Sequence, residues 1–252
     1  MRNRNQSKNE SGTDLIYGRW PVREAMERGT VLKLFFAKGI SGSNVDEMMQ
    51  LAKEKRSIIY WVERKQLDQM TNDENHQGML AQVPPFAFAD LEDIWDAALA
   101  RPHKGVSVLF LDGIMDPHNL GSILRSAVFF GVSGVIIPKW RAAGITSTVV
   151  RSSAGAARLI PIGQVANLAT AMEMGKERGF WFVGADVDGN SLKSSDIPNP
   201  FGLVMGSEGE GIHHLIRKKC DYLVKIDGAL GRQGIDSLNV GVAAGILLHQ
   251  FS

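Results

Sequence analysis

Cysteine is nearly absent from this 252-residue sequence, which contains only Cys220. A single cysteine cannot form an intrachain disulfide, and metal sites built from paired cysteines are also excluded. Cys220 is expected to be a small buried residue near a helix end. His118, His213 and His214 lack a ligand spacing such as H-E-x-x-H, so we interpret them as exposed polar residues and predict no metal site.

Long apolar runs are absent as well. No run approaches the roughly 20 residues that a helix needs to span a bilayer. The polar start, Met1 to Thr13, lacks the apolar core of a secretory signal. We therefore expect a cytoplasmic protein with no membrane partner. Residues 1–13 are predicted to be a disordered, weakly basic tail, because they include Arg2, Arg4 and Lys8.

The sequence also lacks an excess of charge of one sign. Its 28 basic residues are balanced by 27 acidic ones, which gives a formal net charge of +1. Without a global positive field, any contact with nucleic acid must come from a local basic patch. The apolar content of 44% is ordinary for a soluble globular protein, and the length allows one large domain or two compact ones.

Two regions differ in the spacing of their strands and helices. Residues 14–85 predict a small α/β domain, and residues 86–104 predict a linker with one helical stretch after the break at Pro84-Pro85. Residues 105–252 alternate longer buried strands with helices, which predicts a mostly parallel sheet covered on both faces. The predicted strands are Val31 to Ala37, Ile58 to Val62, Met79 to Val83, Val106 to Leu111, Gly134 to Ile137, Phe180 to Ala185, Gly202 to Met205 and Tyr222 to Ile226. The predicted helices include Pro21 to Arg28, Val45 to Lys55, Leu120 to Phe130 and Val242 to Leu248.

The first of three unusual loops follows the strand that ends at Leu111. It leads through Asn119 into a helix that carries Arg125 on a polar face. Helical side chains lean toward the helix N-terminus, so Arg125 could reach back toward this loop. Ligands of parallel α/β sheets bind at the carboxyl ends of strands. The alternative is that Asn119 is an N-cap and Arg125 a surface charge.

The second loop, residues 206–211, follows the strand that ends at Met205. Its glycines would let a ligand approach the backbone, although their spacing fits neither G-x-G-x-x-G nor the P-loop. Glu208 and Glu210 would repel a phosphate, so a cationic or neutral ligand suits the loop better. The alternative is a glycine-rich turn that serves only to start the next helix.

The third loop contains Ser237 and Asn239 just before the apolar helix near the end of the chain. Capping of that helix would explain either residue in isolation. Three polar loops at three strand ends favour one shared site instead.

Together these loops resemble the three signature motifs of the SpoU/TrmH family of RNA methyltransferases. The matching segments are DPHNLG at 116–121, RSA at 125–127, MGSEG at 205–209, SLNV at 237–240 and VAAG at 242–245. Upstream, IYGR at 16–19 and HQG at 76–78 are similar to the N-terminal domain of the RlmB branch of the family. The resemblance covers nearly the whole chain.

The resemblance implies a SPOUT-type methyltransferase domain whose chain forms a trefoil knot, preceded by an α/β RNA-binding domain similar to kink-turn-binding ribosomal proteins. It also implies a homodimer that uses S-adenosyl-L-methionine, held by the backbone near Gly206, Ile226 and Leu238. Members with this plan methylate a guanosine ribose 2′-hydroxyl in the peptidyl-transferase region of 23S ribosomal RNA. The alternatives are a tRNA ribose methyltransferase, an antibiotic-resistance rRNA methyltransferase, or a non-catalytic RNA-binding ribosome-assembly factor.

The resemblance assigns catalytic roles to residues of all three motifs. Asn119, Ser237 and Asn239 would hydrogen-bond the ribose, and Glu208 would orient the neighbouring loop. Arg125 matches a family arginine that has been assigned as general base, but a guanidinium stays protonated far above neutral pH. We therefore expect Arg125 to bind phosphate and stabilise the alkoxide. The expected RNA-binding residues of the first domain are Arg19, Arg23, Lys33 and Arg64.

The sequence departs from the family pattern at two places. The segment from Asp227 to Asp236 is longer than the usual connection between the second and third motifs, and Asp227 stands where a proline is common. Gly241 replaces the serine that is usual in the third motif. Both changes fall at the expected cofactor loop, so they bear on cofactor affinity.

Overall fold

The computed structural model describes residues 14–101, 105–191, 196–228 and 237–252. The chain forms two compact units, Met1–Ala87 and Phe88–Ser252. The predicted tail 1–13 and most of the long connection from Asp227 to Asp236 lie outside the described residues. No helix within the described ranges has the length and apolar character needed to cross a membrane.

The first unit is a four-stranded sheet packed against helices. Its elements are β1 (Asp14–Tyr17), α1 (Arg19–Glu27), β2 (Lys33–Ala37), α2 (Ser43–Glu54), β3 (Ile58–Val62), α3 (Arg64–Thr71) and β4 (Met79–Val83). The strand order is β1-β4-β2-β3; β2 and β3 are parallel, and β4 runs antiparallel to both β1 and β2. Apolar side chains at helical spacing on α1 and α2, including Val22, Met26 and Met48, pack against Leu34 and Phe36 of β2.

The motif HQG at 76–78 has a structural explanation in this unit. The buried ring of His76 places Nε2 2.8 Å from Asp68 Oδ1, and its Nδ1 accepts the N–H of Gly78 at 3.0 Å. The Gln77 side chain accepts the N–H of Arg19 at 3.0 Å. Gly78 has a φ of 79°, and a Cβ there would lie 2.5 Å from Ile40 Cδ1. These contacts join the turn before β4 to the start of α1.

The second unit is built on a six-stranded sheet. Its elements are α4 (Leu91–Ala100), β5 (Val106–Asp112), α5 (Pro117–Phe129), β6 (Gly134–Pro138), α6 (Ser147–Ser152), a short 3₁₀ helix (Ala156–Arg158), β7 (Ile162–Val165), α7 (Leu168–Glu177), β8 (Trp181–Ser191), β9 (Phe201–Gly206), α8 (His214–Arg217), β10 (Tyr222–Lys225) and α9 (Val240–Phe251). The strand order is β10-β8-β9-β5-β6-β7, and every neighbouring pair is parallel. The predicted parallel sheet is confirmed. Strands β1 and β7 were not predicted.

Helix α4 lies inside the range 86–104 that the sequence predicts to be a linker. Its Ile94 and Trp95 are fully buried in the core of the second unit. The Trp95 ring centroid lies 5.9 Å from that of Phe110 and 4.9 Å from that of Phe180. The helix is therefore a structural part of the second unit, because two of its largest apolar side chains pack beneath the sheet.

Helix α5 packs closely against α6 through a glycine. A Cβ on Gly121 would lie 1.9 Å from Ser152 Oγ and 2.9 Å from the backbone nitrogen of Ser153. Ser152 Oγ in turn donates to the carbonyl of Pro117 at 3.1 Å. This contact fixes the start of α5, which carries Asn119, against the neighbouring helix.

Candidate active site

A cavity of about 650 Å³ lies at the carboxyl ends of β5 and β9, which are neighbours in the sheet. The loops after β5, β6 and β9 and the first residue of α9 contribute to its wall. The lining residues are Gly113, Ile114, Met115, Asp116, Asn119, Arg141, Ser207, Glu208, Glu210, His213 and Val240. This position is the usual ligand site of a parallel α/β sheet.

The loop after β9 is held closed by its own backbone. The N–H of Ser207 donates to the carbonyl of Gly211 at 3.1 Å, and the N–H of Gly211 donates back to Ser207 at 3.0 Å. A Cβ on Gly206 would lie 1.9 Å from the carbonyl carbon of Gly211, so only glycine allows this closure. The result places the carboxylates of Glu208 and Glu210 on the pocket wall.

The side chain of Asn119 is not needed to cap α5. Asp116 is the N-cap of this helix, and its carboxylate accepts the N–H groups of His118 and Asn119, each at 3.2 Å. Pro117 occupies the first turn, where its missing N–H is not needed. The alternative in which Asn119 caps the helix is therefore wrong.

Asn239 joins all three sequence motifs. Its Oδ1 caps α9 by accepting the N–H groups of Gly241 at 3.0 Å and Val242 at 3.3 Å. Its Nδ2 donates to Asn119 Oδ1 at 2.9 Å and to Glu208 Oε1. Glu208 Oε1 also accepts the N–H of Val240 at 3.2 Å. The structure thus brings together three side chains that are far apart in sequence. Asn239 both caps α9 and contacts the other two side chains.

The other residues of the expected catalytic and cofactor set are more dispersed. Ser237 and Leu238 are exposed immediately before Asn239, and Ile226 is half-buried just after β10. Arg125 is exposed on α5 and does not line the cavity. Arg125 makes no ion pair or hydrogen bond with any residue that the structure describes. Gly206 is buried at the end of β9.

The expected RNA-binding residues of the first unit lie at different positions on its sheet and helices. Arg19 follows β1 and Arg64 follows β3, so both lie at the edge of the sheet where β1, β2 and β3 end. Lys33 begins β2 and lies at the opposite edge. Arg23 contacts Glu27 at 2.9 Å and Glu47 at 3.0 Å. The hydrogen bond that Arg23 donates to Glu27 is the main reason that the pKa of Arg23 is raised, and it leaves Arg23 less free to bind phosphate.

The structure adds two polar residues to the pocket wall, His213 and Arg141, and a third, Asp112, behind His213. His213, interpreted above as an exposed polar residue, is half-buried and contacts Asp112 at the end of β5. Arg141 lines the wall with a φ of 57° in the loop after β6. The sequence signal for Asp112 is a carboxylate at the end of a buried strand, because a buried carboxylate needs a partner.

Two other groups near α8 have shifted pKa values. Cys220, expected to be buried, is partly buried, and desolvation of its thiol is the main reason that its pKa is raised to about 12. A hydrogen bond from Arg217 lowers the pKa of Asp186 on the extended end of β8. Among the described residues, no cluster of three or more His, Cys, Asp or Glu side chains could hold a metal ion.

Comparison with known families identifies both units. The SpoU rRNA Methylase family matches residues 107–249, and the RNA 2′-O ribose methyltransferase substrate-binding domain matches residues 15–89. YacO of Bacillus subtilis, which is assigned to the TrmH family of tRNA/rRNA methyltransferases, is 41% identical over 94% of each chain. A tRNA/rRNA methyltransferase of Synechocystis is 39% identical over 96% of this chain and 62% of its own length.

Solved structures match nearly the whole chain. The SpoU methyltransferase AviRb of Streptomyces viridochromogenes, in complex with AdoMet, has a TM-score of 0.74 and 26% identity, and the match covers 98% of this chain and 92% of AviRb. An AdoMet-bound rRNA methyltransferase of Sinorhizobium meliloti also has a TM-score of 0.74 and 26% identity, over 96% of this chain and 87% of that chain. The chain therefore belongs to the SpoU/TrmH family of RNA methyltransferases.

Proposed function

We propose that this protein transfers the methyl group of S-adenosyl-L-methionine to a ribose 2′-hydroxyl of RNA. The junction of Asn119, Glu208 and Asn239 at one open pocket carries the proposal. Fixed amide and carboxylate groups of this kind suit the positioning of a polar, uncharged hydroxyl. A passive RNA-binding factor would have no need to hold these three side chains in one arrangement.

The residues around the expected cofactor site fit S-adenosylmethionine. Leu238 is exposed and Ile226 is half-buried, so both offer apolar surface to an adenosine, while Gly206 brings backbone close without a side chain. The carboxylates of Glu208 and Glu210 complement a sulfonium charge. When bound, the cofactor supplies an activated methyl group whose leaving group is a neutral thioether.

The chain's own groups would then orient the ribose and compensate charge. Asn239 uses its whole amide to hold Asn119 and Glu208 and to cap α9, so Asn119 can present its own Nδ2 in a fixed direction. Ser237 adds an exposed hydroxyl beside them. Arg125 carries a guanidinium that no described residue neutralises, and this charge is suited to a phosphate beside the reacting ribose.

Large-subunit ribosomal RNA is the proposed substrate, with a guanosine of the peptidyl-transferase region as the target implied by the family resemblance. The match to the rRNA methyltransferase of Sinorhizobium meliloti covers 96% of this chain, and therefore both units. The TrmH/SpoU tRNA-modifying enzyme of Aquifex (A. aeolicus) matches only 64% of this chain with a TM-score of 0.52. The presence of the first unit therefore favours rRNA over tRNA.

The proposal includes a homodimer that forms through α5 and α9. These helices pack together and leave apolar side chains exposed, with Phe129 81%, Val242 53% and Ile246 38% exposed. Exposed apolar residues on two packed helices favour association with a second copy. The predicted knot depends on the chain path through residues 229–236, which lie outside the described residues, so it stays a prediction.

The dimer can be tested by placing a charge on the exposed face. We expect Val242→Asp to convert a dimer into a monomer in light scattering coupled to size exclusion, because burial of an unpaired carboxylate is costly. Leu215→Asp, at an exposed leucine on α8, is the matched control and should leave the mass unchanged. A monomeric wild type, or a dimer that survives Val242→Asp, would contradict this part of the proposal.

The activity is tested with the full chain and labelled S-adenosylmethionine. Protein-free 23S rRNA and bulk tRNA are offered separately, and the modified ribose is mapped by its resistance to alkaline hydrolysis. We expect label in 23S rRNA at a guanosine 2′-oxygen. Label in tRNA alone, or on a base, would overturn the substrate assignment; binding of RNA without methyl transfer would favour the assembly factor.

A further inference from the structure

His213 is the pocket residue that the mechanism above leaves unused. It immediately precedes α8, and its side chain is 40% exposed and lines the cavity. Its backbone N–H donates to Asp112 Oδ2 at 2.8 Å, and its Nδ1 lies 3.0 Å from the same oxygen. The Asp112 side chain is only 8% exposed, so the carboxylate is largely shielded from water.

The contact with Asp112 determines which ring nitrogen of His213 carries the proton and which has a free lone pair. A carboxylate only accepts hydrogen bonds, so Nδ1 carries the proton and donates it to Asp112. In the neutral ring, Nε2 is then a proton acceptor. Its nearest carboxylate is Glu210 Oε2 at 3.9 Å, beyond hydrogen-bond distance. Among the described residues, Nε2 therefore has no hydrogen-bond partner.

We propose that His213 Nε2 accepts the proton of the ribose 2′-hydroxyl during methyl transfer, and this role rests on the proposed function. The 2′ O–H bond breaks as its proton binds Nε2, and a bond forms between the 2′ oxygen and the methyl carbon. The bond from that carbon to sulfur breaks, and its electron pair stays on sulfur as a neutral thioether. Asp112 stabilises the imidazolium, which then releases its proton to water.

Arg125 is a weaker candidate for the same task. A guanidinium is protonated at any pH at which the protein works, and Arg125 lies outside the lining of the cavity. His213, in contrast, is in the lining and belongs to the side-chain type that changes charge between about pH 5 and pH 8. The assignment leaves Arg125 available to bind phosphate.

The charged and titratable groups near His213 lie on the pocket wall and on α8, the helix that His213 precedes. Asp112 and Glu210 are the nearest, at 3.0 Å from Nδ1 and 3.9 Å from Nε2 respectively. The remaining charged or titratable residues on the pocket wall or on the element of His213 are Asp116, Glu208, Arg141, His214 and Arg217, the last of which is paired with Asp186. A protonated ring has no lone pair on Nε2, so methyl transfer should fall at acid pH if His213 is the proton acceptor.

The test compares the full chain with His213→Gln at saturating cofactor from pH 5.5 to pH 9. A glutamine can still donate to Asp112 but cannot take a proton. We expect the wild-type kcat to rise with pH across the histidine range, and the variant to lose about 10²- to 10⁴-fold in kcat. Its KM for RNA should change little, and its kcat should lack the histidine-range step. His214→Gln, at an exposed neighbour outside the cavity, is the matched control and should keep the wild-type profile.

A second variant tests whether the substitution acts only by disturbing the structure. His213→Ala should bind S-adenosylmethionine in calorimetry as the wild type does, and added imidazole should restore part of its kcat. An unchanged kcat and pH profile in His213→Gln, or a change in KM alone, would overturn the role of His213 while leaving the methyltransferase function intact. A wild type that transfers no methyl group to RNA would contradict the proposed function and overturn this inference with it.

Discussion

The side chain of Asn239 uses its two ends for different purposes. Its oxygen caps α9, and its amide nitrogen contacts Asn119 and Glu208. Serine is as good an N-cap as asparagine, but it lacks the second group. We expect both Asn239→Ser and Asn239→Ala to lower methyl transfer by about 10²-fold, because Asn119 and Glu208 are then no longer held in position for the ribose. Only Asn239→Ala should lower the free energy of unfolding, by about 1 kcal/mol.

Asn167 supplies the matched control for this comparison. It caps α7 by accepting the N–H of Ala169 at 2.9 Å, and it takes no part in the hydrogen bonds that join Asn119, Glu208 and Asn239. Asn167→Ala should cost about the same stability in urea unfolding and leave the methylation rate unchanged. Equal activity in Asn239→Ser and the wild type would remove Asn239 from the site.

Cys220 is expected to be unreactive in the folded protein. Its thiol has a pKa of about 12, mainly because burial disfavours the thiolate. At pH 8 the thiol is therefore protonated, and labelling by Ellman's reagent should be slow until denaturant exposes it. The raised pKa also means that stability from this group is present below about pH 9 and is lost as pH rises toward 12. Cys220→Ala should remove that alkaline loss; rapid labelling of the native protein would contradict the burial.

A site residue can be picked out from the sequence where a motif carries its own chemistry, but not where its partner is distant. Asn119, Glu208 and Asn239 stand out because each is a polar residue at the end of a buried strand or at the start of a helix. His213 could not be recognised, because its partner Asp112 is 101 residues away in sequence. No local pattern distinguishes a histidine that contacts a buried carboxylate from a solvated one.

At the scale of elements, the contact between α5 and α6 depends on the missing side chain of Gly121. A Cβ there would lie within 2.9 Å of Ser153 backbone, which cannot rotate away. We expect Gly121→Ala to lower stability by about 1–3 kcal/mol, as overpacking does, and to reduce methylation by displacing the start of α5. The measurement is thermal unfolding alongside the methylation rate.

Gly144 is the control for this substitution. A Cβ at Gly144 would have nothing within 4 Å, and its φ is not in the left-handed region. Gly144→Ala should therefore unfold near the wild-type temperature. Indistinguishable unfolding of the two alanine variants would show that α5 and α6 can separate without cost.

Strands and helices were predictable to the extent that their apolar pattern is strong. The fully buried β5 and β9 read as continuous apolar runs, whereas the unpredicted β1 and β7 are only four residues long. β7 also contains Gly163 and Gln164, which interrupt an apolar pattern. The pairing of β10 with β8 and of β9 with β5 could not be derived locally, because parallel neighbours are joined through distant chain segments.

At the scale of the whole molecule, we expect the first unit to bind RNA and the second to carry out the chemistry. Arg19 and Arg64 share one edge of the first sheet, and we expect them to contact RNA phosphates there. Arg19→Ala and Arg64→Ala should each reduce the slope of log affinity against log salt by about 1. Filter binding of 23S rRNA over a range of salt concentrations measures this slope.

Arg23 provides the comparison, because Glu27 and Glu47 already neutralise it. Arg23→Ala should change the salt slope less than either of the other two substitutions. A larger effect at Arg23 would mean that the two glutamates release it on binding, and that the edge formed by Arg19 and Arg64 is not the principal contact.

The burial of Trp95 determines where the protein can be cut. A fragment that begins at residue 105 would keep every catalytic motif but would lose the indole that packs against Phe110 and Phe180. Removal of a buried tryptophan leaves a void that costs about 3–5 kcal/mol, a large share of the stability of a domain. Exchange of substrate domains between relatives should therefore place the junction before Phe88, so that α4 travels with the methyltransferase half.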